Sequence, residues 1–102
     1  MIEEKWQKMT IFQQLGNIAS EISRAIGWEK KGDIEAKKNA LERALELINL
    51  TLENKNLGSG LKEVARLQEF VADNYANNQS YKVDLSSLYD YLLPFAVASR
   101  NL

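Results

Sequence analysis

Cysteine and histidine are both absent from this chain of 102 residues. Without cysteine there is no disulfide, no thiolate nucleophile and no cysteine-based zinc site; the absence suits a reducing compartment without requiring one. Without histidine the commonest general base and the commonest metal ligand are both missing. One proline and five glycines leave few interruptions, which favours long helices. Long apolar runs are also missing. The longest, from Tyr91 to Ala98, is far too short to span a bilayer. The opening MIEEKWQKMT lacks the continuous apolar core of a secretion signal, so the expectation is a cytoplasmic protein with no membrane partner. Nor is one sign of charge in excess. The net charge is −1 with both signs interspersed, so the broad basic face needed for non-specific phosphate binding is not evident.

What is there reads as an ordinary globular domain over residues 1–102, with 45% apolar and 26% charged residues. That length suffices for one core. The clearest element is Asp33 to Asn54, where Ile34, Leu41, Leu45, Ile48 and Leu52 fall on one stripe of a 3.6-residue helix, with Ala44 beside them. An earlier stripe, Ile11, Leu15, Ile18, Ile22, Ala25 and Ile26, defines the helix before it. Thr10 to Gln13 has the spacing of a capping box. Ile2, Trp6 and Met9 lie on a different side. Two readings follow: a short separate segment ahead of Thr10, or one helix from Glu3 with two apolar faces, and the continuous helix is preferred.

Lys31-Gly32-Asp33 is the best-specified joint. Lysines suit the negative end of a helix, Gly takes the left-handed closing position, and Asp caps the next helix. So short a link predicts an αα-hairpin. The next helix ends in ENKNLGSG, with Ser59 or Gly60 opening a third stripe of Leu61, Val64, Leu67, Val71, Ala72 and Tyr75. A polar stretch, ANNQSYKV, reads as a loop. Asp84 then caps a last helix with a core stripe of Leu85, Leu88, Tyr89, Leu92, Phe95 and Ala96, which Pro94 should kink or locally open. The fold class expected is all-α, an antiparallel up-and-down four-helix bundle.

Candidates for chemistry are few. A di-iron bundle needs Glu-x-x-His pairs, which cannot occur here; Glu42 and Glu46 share a helix face, but on its solvent side. Ser20 and Ser23 lie mid-helix with no glycine-rich turn around them. Gly58-Ser59-Gly60 is too short to cradle phosphate and lacks the following Lys-Ser/Thr. The triplets Asn49-Leu50-Thr51 and Asn78-Gln79-Ser80 match glycosylation signals by chance, given no secretion signal. No catalytic, cofactor or metal residue is assigned, and an enzyme is not expected. Lys30, Lys31, Lys37 and Lys38 cluster at the hairpin tip, where Glu29, Asp33 and Glu35 offset them. A small nucleic-acid-associated adaptor using that tip is the alternative reading.

The more informative oddity is large apolar side chains outside the stripes. Trp6, Trp28, Phe70 and Tyr91 each fall off the best core face, and Leu93 and Val97 spill past the stripe of the last helix. Aromatics gain much contact area per side chain fixed. Trp28 folding over the hairpin tip, Trp6 covering the bundle end and Phe70 entering a wide core are the plain alternatives. Taken together, the six point to a partner or oligomer interface, with a homodimer favoured because a small bundle with surplus apolar surface is completed by its own copy.

Two phrases resemble the flagellin-export chaperone (FliS-like) family. KKGDIEAKKNALERALELINLTLE looks like that family's acidic-start hairpin, and LYDYLL at 88–93 is similar to a run in one of its later helices. The likeness covers about a quarter of the chain. The family's N-terminal Tyr and Thr/Ser-Pro segment is not found here, and Leu61–Tyr75 intervenes before LYDYLL. The resemblance implies a helical bundle that holds an apolar helical segment of a partner and does no chemistry, and it transfers no individual binding residue.

Overall fold

The computed structural model describes residues 2–53, 60–76 and 84–100. Within them are five helices and no strand: α1 (Ile2–Gln7), α2 (Ile11–Lys31), α3 (Ile34–Leu52), α4 (Gly60–Ala76) and α5 (Leu85–Arg100). The segments ENKNLGSG and ANNQSYKV, with the triplet Asn78-Gln79-Ser80, fall largely or wholly outside the described residues.

The expected continuous first helix is corrected. Thr10 adopts extended backbone (φ −67°, ψ 160°) and caps α2. Its hydroxyl accepts from the Gln13 N–H at 3.1 Å, and the Gln13 side chain accepts from the Thr10 N–H at 2.8 Å. The Met9 N–H donates to the Trp6 carbonyl and closes α1. The break has a physical reason. One straight helix cannot bury the Trp6 side and the Leu15 side in the same core, so the chain turns between them.

The joint between α2 and α3 forms as its residues dictate. Gly32 sits at φ 77°; its N–H reaches the Glu29 carbonyl, and the Asp33 N–H reaches the Trp28 carbonyl at 3.0 Å, a Schellman closure. The Asp33 carboxylate accepts from the Ala36 N–H, and that of Asp84 from the Ser87 N–H at 2.8 Å. The Ser87 backbone N–H, with the Ser87 side chain second, holds the Asp84 carboxyl below its usual pKa. α5 continues through Pro94. Pro94 is exposed, so the Asp90 carbonyl that it leaves without an N–H partner lies on a solvent-facing side.

α2 packs most extensively, against both α3 and α5; α3 also packs on α4, and α1 rests on α3. The core is formed by Leu15, Ile18, Ala19, Ile22 and Ala25 of α2, Ala40, Leu41, Ala44 and Ile48 of α3, Val64, Leu67 and Val71 of α4, and Leu85, Leu88 and Leu92 of α5. Two stripes are corrected. Ile34, the first residue of α3, is 68% exposed, because it lies at the hairpin tip beyond the packed length of the bundle. The buried face of α4 is turned toward Phe70, leaving Ala72 and Tyr75 exposed.

Polar links reinforce the α1–α2–α3 side. The Glu21 carboxylate, almost buried, meets Arg24 on its own helix and Arg43 Nε on α3 at 3.1 Å. Gln14, fully buried, donates from Nε2 to the Trp6 carbonyl at 2.7 Å.

Candidate functional site

α4 and α5 are neighbours, yet they meet sparsely. Between them, and reaching under the α1–α2 junction, lies a hollow of about 520 Å³ lined by Met9, Ile11, Leu15, Val64, Leu67 and Phe95, with Gln7, Thr10, Glu63 and Tyr91 as its polar members. A second hollow of about 320 Å³ continues along the same seam past Arg66, Phe70, Ser87 and Leu88. Glu63, Leu67 and Tyr91 line both. The two hollows adjoin along the seam as a furrow, with the Tyr91–Glu63 pair in their shared wall.

The helical register explains who faces it. Val64 and Leu67 lie on the buried face of α4, Glu63 and Phe70 on its α5-facing edge. On α5, Tyr91 and Phe95 are four apart and share a flank. Their rings sit 6.0 Å apart, and the Phe95 ring stacks on Phe12 of α2 at 6.2 Å. Tyr91 is half exposed, and its hydroxyl donates to Glu63 Oε2 at 3.3 Å, a long bond that spans the seam. Loss of hydration raises the Tyr91 phenol above its ordinary pKa, with the Glu63 charge and hydrogen bond adding to the effect.

The six side chains singled out in the sequence do not form one surface. Tyr91 and Phe70 line the furrow. Leu93 and Val97 are 40% and 46% exposed, but on the opposite flank of α5, about 200° around the helix from Tyr91 and Phe95 respectively at 100° per residue. Trp28 is half-buried beside the hairpin tip, with the Lys31 ammonium 5.0 Å from its ring centre. Trp6 is corrected outright. It is 3% exposed, a core residue whose indole N–H donates to Thr51 Oγ1 at 3.0 Å. With α1 turned back onto α3, its ring closes the bundle end.

Two residues of the furrow wall, Phe95 and Glu63, and the ring of Phe12 behind them lie outside the six. Phe95 belongs to the core stripe, Glu63 carries no sequence signal of its own, and Phe12, whose ring stacks on Phe95, sits inside the capping box. A large ring one residue off the α2 stripe, followed by two glutamines, is the signal that marks Phe12. At the lysine-rich tip, Lys31 covers Trp28 and Lys37 pairs with Glu29, so two of the four cations are engaged within the molecule. Glu42 and Glu46 are both exposed, and no group of three acidic side chains that could hold a metal occurs among the described residues. Ser20 Oγ donates to the Gly16 carbonyl of its own helix. No helix among the described residues is long and apolar enough to cross a membrane.

Comparison with protein-family models, with curated proteins and with solved structures finds no match to this chain.

Proposed function

We propose that this chain is a non-enzymatic, cytoplasmic interaction module: an antiparallel up-and-down bundle of α2 to α5, with α1 folded over one end, that holds an apolar helical segment. The segment comes from a partner protein or from a second copy of the chain. One observation carries the reading. Two adjacent helices of the bundle leave between them an aromatic-edged furrow with hollows of about 520 and about 320 Å³, where closed bundles interlock side chains at crystal-like density. A helix laid in a groove buries apolar anchors at i, i+3 or i+4, and i+7. The resemblance of KKGDIEAKKNALERALELINLTLE and LYDYLL to the flagellin-export chaperones points the same way.

The two flanks of α5 make the proposal testable. Mass in solution by light scattering is measured for the wild type, for Leu93→Glu with Val97→Glu, and for Tyr91→Glu. A homodimer through the outer flank falls to monomer in the double variant alone. Cover of the furrow by a second copy is lost in Tyr91→Glu alone. A strictly monomeric wild type that also fails to bind any apolar helical peptide removes the reading.

A further inference from the structure

The furrow is not uniformly apolar, and an acidic wall residue restricts what can fill it. Among the described residues Glu63 is the only charged side chain lining the larger hollow; Arg66, one turn along α4, lines the smaller one. Glu63 forms no ion pair with a Lys or Arg among the described residues. Its neighbour Lys62 is exposed, and Glu63's bond across the seam is the long contact from the Tyr91 hydroxyl. A purely apolar segment seated there would take this carboxylate out of water with that single weak bond in return. Burying a charge without a partner is strongly unfavourable.

We infer that the segment this furrow accepts is an amphipathic helix of another protein carrying a lysine or arginine among its apolar anchors, placed to meet Glu63 over the Tyr91 and Phe95 rings. The inference rests on the helix-binding reading above and adds the chemistry of the partner. From Gly60 to Phe70 the lining spans about 15 Å of α4 at 1.5 Å per residue, room for about three turns. The cation meets a carboxylate and two aromatic rings together, a combination that favours a positive charge on both counts. Arg66 sets a register: an acidic or neutral position on the guest belongs one turn from the basic one.

The test uses the whole chain and three labelled helical peptides with identical Leu anchors at i, i+3 and i+7, differing only in Lys, Gln or Glu at i+4. Binding is read by fluorescence anisotropy at low salt. The Lys peptide is expected to bind about threefold to fivefold tighter than the Gln peptide, the Glu peptide weaker still, and the spread to shrink as salt is raised. Glu63→Gln, a substitution at an exposed site checked for unchanged melting, brings the three together; Glu63→Lys reverses their order. Equal binding of all three to the wild type overturns the inference while leaving the helix-binding reading in place. Binding of none by a monomeric chain overturns both. A dimer that excludes all three assigns the furrow to a second copy and overturns the inference.

Discussion

The α2–α3 side and the α4–α5 side of this bundle use helices of similar length and close to very different degrees. On the first side a two-residue joint fixes the approach of the helices, and buried alanines at 25, 40 and 44 let their surfaces come near. Glu21 and Arg43 then tie the pair across the contact. On the second side the facing residues are large. Phe70, Tyr91 and Phe95 line the seam, and the polar tie across it among the described residues is the long Tyr91–Glu63 bond. Small side chains at a helix contact give closure; rings at its edge give a furrow. Stability and binding are therefore expected to reside on different sides of the same molecule.

The largest expected effect separates the two sides directly. Leu41 is fully buried on the closed side, and Leu41→Ala should cost about 2–5 kcal/mol through lost burial and the cavity left behind. Tyr91→Ala, at a half-exposed position, should stay within about 0.5 kcal/mol. Urea unfolding of both variants measures the difference. Equal losses would mean that the seam is as much a part of the core as the hairpin, and the contrast would fail.

Trp6→Phe comes next. The indole N–H is the donor to Thr51 Oγ1, and that hydroxyl itself donates to the Leu47 carbonyl. Phenylalanine keeps most of the ring but leaves the buried hydroxyl without its donor, at a cost of about 1–3 kcal/mol. The same denaturation experiment checks it. A loss near zero would show that Trp6 is a surface cover rather than a structural tie.

How far the chain could be read in advance follows the same division. The caps at Thr10, Asp33 and Asp84 and the Gly32 closure were legible because each depends on local spacing alone. The stripes of α2 and much of that of α3 were legible because one dominant face leaves little choice. Tertiary information decided the rest. Periodicity marks Ile34 as apolar but cannot say that the hairpin tip extends past the packed length. It marks Trp6 as off-stripe but cannot say that the chain turns at Met9 and brings the ring back onto α3. In α4, Val64, Leu67 and Val71 fix the face only to within some tens of degrees, so Tyr75, expected in the core stripe, lies exposed while Phe70 is half-buried. Of the candidate site, Tyr91 and Phe70 were visible as misplaced rings. Glu63 was not, since nothing in a run of surface charges tells which carboxylate will border a hollow.

Thr10→Ala tests the junction on which the deep end of the furrow depends. Thr10 lines the larger hollow and supplies half of the capping box. Removing its hydroxyl should cost about 1 kcal/mol. It should also raise hydrogen exchange at the Gln13 amide, whose acceptor is lost, while amides in the middle of α3 remain protected to nearly the global limit. Uniformly faster exchange would show that the cap supports the whole fold rather than one end of it.

The smallest expected effect is the pH response of the seam. The Tyr91 phenol is held protonated above its ordinary range, first by lost hydration and then by Glu63. The folded chain therefore keeps a proton that the unfolded chain gives up at lower pH. The linked stability is present in full below the unfolded phenol pKa and disappears as pH rises through the folded value. Spectroscopic titration should find one tyrosine ionising late, and Glu63→Gln should move that ionisation down without restoring the unfolded value, because desolvation is the larger cause. Tyr91→Phe should remove the late component altogether. If Glu63→Gln leaves the titration where it was, the carboxylate and phenol do not face each other across the seam, and the furrow loses the charged wall that selects its guest.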